Sequence, residues 1–222
     1  YDMPVKEGRY VDRNLIRRIG WNFSWRMAVL CPNLRADGQH DYACEDCRTG
    51  GDGRGYIYSS SVNKKGIFHG DSRDEPFDVA GAWEKGTASL TFSAHERIGN
   101  RDKIIILSHP IRDSLVLTRG ATALDKVRSP NLTEILYIRD GATEYNLNLD
   151  YSLQVDSDGT SYIKWAEGGN QPSLDERYSA AFLLNPTWVV DGHPKARAFG
   201  ARKRDKLPHV VTLKRDDLAV RE

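Results

Sequence analysis

The sequence predicts a mainly β protein, an antiparallel barrel or sandwich preceded by a cysteine- and glycine-rich loop and containing little helix. Three observations carry this. From residue 56 onward, short runs rich in β-branched and aromatic residues recur, separated by Gly, Asn, Asp and Pro. Two separators, Asp140-Gly141 and Asp158-Gly159, are dipeptides that favour tight hairpins. Before residue 56, all three cysteines fall between residues 31 and 47, followed by Gly50, Gly51, Gly53 and Gly55, a composition that no regular element favours.

The elements follow in order. One helix is expected around Arg13 to Ile19, and one short turn near Ser173 to Arg177. Strands are expected in YIYSSSV (56–62), GTASLTF (86–92), DKIIILS (102–108) and DSLVLTR (113–119), suggesting a meander or small barrel. Ile104 to Leu107 run together without alternation, which predicts a central strand covered on both faces. TEILYIRDGATEY (133–145) and DYSLQVDSDGTSYIKW (150–165) read as hairpins. ERYSAAFLLNPTWVV (176–190) reads as a strand broken or bent at Pro186, and HVVTLKR (209–215) as the last, for at least eight strands between residues 56 and 215.

Between those last two lies DGHPKARAFGARKRDKLP (191–208), with no apolar periodicity and with Lys195, Arg197, Arg202, Lys203, Arg204 and Lys206. It is expected to be a long basic loop, either solvated or an arm that reaches a neighbouring subunit or an anionic surface. Two regions are therefore expected: residues 1–58, an N-terminal arm with the cysteine- and glycine-rich segment, and residues 59–222, an antiparallel β body carrying this loop.

Net charge is only +1, but its distribution is uneven. Residues 1–30 carry six Lys/Arg against three Asp/Glu, residues 195–222 nine against four, and residues 31–194 seventeen against twenty-four. The ends are thus basic and the centre acidic. This fits separate solvated surfaces, or a subunit whose ends dock on the acidic body of a neighbour. The near-zero balance argues against a dedicated nucleic-acid binder, and no apolar run approaches the roughly 18 residues of a membrane span. The chain begins at Tyr1, which suggests a processed or trimmed product.

The cysteines point to a metal. Cys44 and Cys47 form a C-x-x-C, whose two thiolates can grip one zinc ion from a single turn. Cys31 is the third candidate ligand and His40 the fourth, with Asp41 and Asp46 weaker choices, giving a closed structural site of Cys31, His40, Cys44 and Cys47. Reduced thiols without metal, or a disulfide, are the alternatives, and the odd cysteine count argues against a simple disulfide framework. Catalytic signatures are not found: there is no G-x-S-x-G elbow, no phosphate-binding G-x-x-x-x-G-K-[ST], and no dinucleotide-binding G-x-G-x-x-G opening a helix. Asp74 with Glu75, and Asp140 with Glu144, are acid/base pairs in principle, but carboxylates beside turns are usually solvated. No enzymatic activity is expected.

A cysteine, a dozen intervening residues, C-x-x-C and a glycine-rich stretch ending in GYIY, followed by GTASLTFS and IGNRDKIIIL, resembles virion structural proteins of tailed bacteriophages. The nearest type is the small neck or head-to-tail connector protein. Such proteins often read C-P-C near the first cysteine, where this chain has Asn33. The resemblance implies a subunit of a ring, with copies of itself and neighbouring neck, portal or tail proteins as partners and non-specific DNA phosphate contact by the basic ends. It implies a location in the virion, and in the host cytoplasm during assembly. A baseplate or tail structural protein is one alternative, a zinc-stabilised nucleic-acid-binding module a second, and a hydrolase with an unrecognised site a third.

Overall fold

The computed structural model describes residues 14–33, 44–46, 55–69, 87–93, 95–127, 131–141, 143–156, 160–196 and 208–216, with only the backbone for 194–196. The chain is mainly β and divides into two compact units, Tyr1–Ser108 with Trp188–Glu222, and His109–Thr187. A division at residue 58, expected from composition, falls inside the first unit. After a short helix, α1 (Ile16–Ile19), come β1 (Trp21–Arg26), β2 (Ala28–Leu30), β3 (Tyr56–Tyr58), β4 (Val62–His69), β5 (Thr87–Phe92) and β6 (Lys103–Ile106). The second unit holds β7 (Ile111–Thr118), β8 (Leu124–Val127), β9 (Leu132–Asp140), β10 (Thr143–Tyr145), β11 (Tyr151–Val155), β12 (Ser161–Trp165) and β13 (Arg177–Leu184). The chain then returns to the first unit with β14 (Thr187–Ala196) and β15 (His209–Arg215).

In the first unit six strands close into a barrel in the order β1-β4-β5-β15-β14-β6. Alternation along each strand turns one set of side chains inward. Phe23 and Trp25 enter from β1, Leu90 and Phe92 from β5, Ile104 and Ile106 from β6, Trp188 and Val190 from β14, and Val211 and Leu213 from β15. Trp21 stacks on Phe68 at 5.1 Å, and Phe68 meets Trp188 edge-on at 5.2 Å. On β4, Gly66 leaves room for this packing, because a Cβ there would lie 2.8 Å from Leu90 Cδ1 and 2.9 Å from the Thr91 carbonyl oxygen. β2 and β3 form a separate two-stranded ribbon, and the cysteine-rich segment runs between them.

Three expectations are corrected. β1 and β2 lie before residue 56, where only a helix was expected, and β1 is paired on both sides, with β4 and with β6. β6 does not bury both faces: Ile104 and Ile106 are buried, but Ile105 is half-buried and Leu107, just beyond it, is exposed. A barrel stave has only one inner face, so its unbroken run of aliphatic residues is not a sign of two-sided burial here. Residues 191–196, expected in the long basic loop, continue β14 instead. The ladder with β15 runs from Asp191↔Thr212 to Lys195↔Val210, four steps on one strand against two on the other. This irregularity absorbs Gly192 at φ 92 and Pro194, which has no N–H for a regular ladder.

The second unit is a sandwich of a four-stranded sheet, β10-β9-β13-β7, and a three-stranded sheet, β11-β12-β8, around one core. Leu132, Ile135 and Ile138 of β9 and Tyr178, Ala180, Phe182 and Leu184 of β13 meet Val127, Tyr151, Ile163 and Trp165 of the other sheet. The register slips on β9 between Ile135 and Tyr137. That bulge pushes Leu136 outward and keeps both Ile135 and Ile138 in the core. Trp165 is surrounded edge-on by Tyr145, Tyr151 and Tyr178 at 5.3, 5.9 and 5.4 Å. Both expected hairpins form, β9 with β10 and β11 with β12, although Asp158 and Gly159 lie outside the described residues.

Candidate functional site

Cys31 leaves the β2–β3 ribbon directly after β2, and its backbone N–H donates to the Gly55 carbonyl at 2.9 Å. That bond holds the two ends of the intervening segment together. Cys44 returns to the same place: its Sγ lies 3.7 Å from that of Cys31, and both side chains are buried. The separation far exceeds the roughly 2.05 Å of a disulfide. The Asn33 amide donates from Nδ2 to Cys44 Sγ at 3.6 Å and to Asp46 Oδ2 at 3.0 Å. Ile57 of β3 packs on the pair, and these three residues make a small apolar cluster of their own.

Of the four residues expected to hold zinc, the structure therefore brings Cys31 and Cys44 together, while His40 and Cys47 lie outside the described residues. Among the described residues no group of three or more His, Cys, Asp or Glu is arranged to hold a metal. Of the expected basic contact residues, Lys195 sits in β14 opposite Val210, and Arg197, Arg202, Lys203, Arg204 and Lys206 lie outside the described residues. Asp74 and Glu75 lie outside them too, and Asp140 accepts a hydrogen bond from the Tyr145 hydroxyl at 2.5 Å.

Sequence reasoning missed the buried carboxylates. In the barrel unit, Asp102 is buried at the start of β6. Its Oδ2 accepts from Trp25 Nε1 and the Gly99 N–H, both at 2.7 Å, and its Oδ1 from the Ala28 N–H at 2.8 Å. Its backbone carbonyl also accepts from the Val190 N–H at 2.9 Å. One residue thus ties together the β1–β2 junction, the 99–102 turn and β14.

Asp125 plays the corresponding part in the sandwich. Its Oδ2 accepts from Trp165 Nε1 at 2.7 Å and the Tyr178 hydroxyl at 2.8 Å, and its Oδ1 from the Gly120 N–H at 2.8 Å. The buried Arg119 guanidinium stands 3.5 Å away and donates further to the Gly120 and Thr122 carbonyls and, at 2.8 Å, to Gln171 Oε1. Burial, then the bond to Asp125, pushes the Tyr178 hydroxyl pKa up. Burial likewise raises Tyr145, helped by its bond to Asp140. The backbone N–H of Asn146 holds Asp150 below the ordinary carboxylate range, with that of Asn170 adding to it. In sequence, Asp102 and Asp125 look like any carboxylate at a strand start; their Trp partners lie 77 and 40 residues away.

These carboxylates face backbone amides, indoles and a guanidinium of their own unit, an arrangement that fixes strands and loops. The chain matches no protein-family model and no curated protein. Among the described residues, no helix is long and apolar enough to cross a membrane.

Proposed function

We propose that the chain is a structural subunit of a bacteriophage particle, of the neck or head-to-tail connector type, that works by packing against copies of itself and neighbouring virion proteins. The cysteine-rich segment belongs to this reading as a knuckle-like structural element. The sequence resemblance supplies the class of particle. The observation that carries an assembly role is the open edge of the sandwich at β7. This strand is eight residues long, pairs with β13 through all eight positions without a bulge, and contains no proline. It ends the sheet, and among the described residues no strand pairs with its outer side.

A long, regular edge is a template for a strand from another chain, and proteins that stay single usually shorten, bulge or charge such edges. Here charge is confined to Arg112 and Asp113 near the start, whereas Val116, near the far end, is 55% exposed. Replacing Val116 with Lys tests this. The variant is expected to keep its circular dichroism and unfolding midpoint but to enter particles at a much reduced level. Wild-type incorporation of a folded Val116→Lys chain would refute the edge as an assembly contact.

A further inference from the structure

The geometry points to a thiolate metal site built on Cys31 and Cys44, taking a soft tetrahedral divalent cation, zinc, with Asn33 as its positioning residue. This deepens the structural role given to the cysteine segment and stands whether or not the chain works in a phage particle. Two thiolates bound to one zinc at about 2.3 Å and near the tetrahedral angle lie about 3.8 Å apart. Cys31 and Cys44 place their sulfurs 3.7 Å apart. The site is thus nearly preorganised for a shared ion, and closing it to a disulfide would require the sulfurs to approach by well over an ångström.

Two sulfurs in van der Waals contact could also be simple packing, but two further observations argue for ligation. The Asn33 Nδ2 group donates to Cys44 Sγ and, with the same amide nitrogen, to Asp46. An N–H aimed at sulfur favours the thiolate and fixes the direction of its lone pairs, the usual task of a group behind a metal ligand. The apolar cluster is also very small. Among the described residues, Cys31, Cys44 and Ile57 form it alone. So small a cluster is a weak anchor for the chain around it, whereas a structural zinc site supplies folding free energy directly. In sequence Cys47 completes a C-x-x-C with Cys44 and His40 falls between Cys31 and Cys44; both lie outside the described residues and are the sequence candidates for the remaining ligands.

Cobalt(II) substitution tests this. Reduced, EDTA-stripped full-length chain is titrated with cobalt(II) and then with zinc. One equivalent of cobalt is expected to give a near-ultraviolet thiolate-to-metal charge-transfer band and the visible bands of a tetrahedral ion, all of which zinc abolishes. Cys31→Ser and Cys44→Ser should each remove or weaken the charge-transfer band. Asn33→Ala should weaken cobalt affinity by about 10–100-fold and shift the band, a change that loss of packing alone would not produce. Because a cysteine variant can fail to fold, the wild-type chain provides a second measurement. Its thiols should resist a disulfide reagent when zinc-loaded and react after EDTA. A wild-type chain that gives no charge-transfer band, thiols equally reactive with and without zinc, or a Cys31–Cys44 disulfide in freshly isolated protein would overturn the proposal.

Discussion

Replacing Asp102 with Ala should strike the barrel unit at one of its most connected points. The carboxylate accepts three N–H groups, from Trp25 Nε1, Gly99 and Ala28, and is only 2% exposed. Removing it leaves three donors without an acceptor, at about 1–3 kcal/mol for each that stays dry. Water entering the vacated space would satisfy some of them, so the expected loss is about 3–5 kcal/mol, a large share of the roughly 5–15 kcal/mol of a whole domain. Asp102→Asn keeps the shape and one acceptor oxygen, but turns an amide N–H toward another donor, and should lose about half as much.

Urea unfolding reads this directly. With a slope of about 1–3 kcal/mol per molar, Asp102→Ala should lower the midpoint by about 1–5 M. Hydrogen exchange followed by mass spectrometry should show faster exchange in peptides from β1, β6 and β14 and little change in β9 and β13, because the lost bonds all belong to the first unit. A loss below about 1 kcal/mol, comparable to a surface substitution such as Glu167→Ala, would refute the reasoning.

Asp125→Ala should cost the sandwich a similar amount, about 3–5 kcal/mol, because it strands the buried Arg119 charge along with Trp165 and Tyr178; thermal unfolding of this variant beside Asp125→Asn checks it. Gly66→Ala should destabilise the barrel by about 1–3 kcal/mol, since the new methyl meets Leu90 and the Thr91 carbonyl; calorimetry measures it. The raised pKa values of Tyr145 and Tyr178 mean that their neutral forms are favoured in the fold. Their contribution is complete below the unfolded value of 10.0 and falls as pH rises beyond it, so both should ionise, by absorbance near 295 nm, only as the protein unfolds in alkali. Asp150 has the opposite sign: its contribution is present above 3.8 and fades as pH falls through its lowered folded value, which carboxyl chemical shifts would follow. Arg202, Lys203 and Arg204 replaced together by Ala should leave both β units folded but reduce incorporation into particles, and any DNA binding by the wild-type chain should weaken with salt.

The strand-rich class, the two hairpins and the break at Pro186 were legible because each depends on neighbours in sequence. Asp140-Gly141 marks the first hairpin, and the proline separates β13 from β14. The alternation of Trp21, Phe23 and Trp25 was a period-two signal too, but the tryptophans lie beside a helix-like segment and a cysteine-rich one, and β1 is defined by partners about 40 and 80 residues away. β14 extends beyond Val190 because β15 pairs with it across an irregularity, and nothing local in DGHPKA announces that partner. Spacing put Cys31 and Cys44 in one candidate ligand set with His40 and Cys47, and of these the structure describes only Cys31 and Cys44, with their sulfurs 3.7 Å apart. In sequence Asn33 merely stands where similar proteins often have a cysteine, and only its placement beside Cys44 and Asp46 gives it a part. Asp102 and Asp125 were invisible for the same reason as β1, since each is defined by an indole distant in sequence.

The most direct test of the proposed assembly role is a single-particle reconstruction of the phage particle to which the proposal assigns the chain. A closed ring of copies is expected, with the outer side of β7 and the basic 197–208 segment at contacts between chains. A particle in which the chain occurs as an isolated copy, with both regions facing solvent, would contradict it.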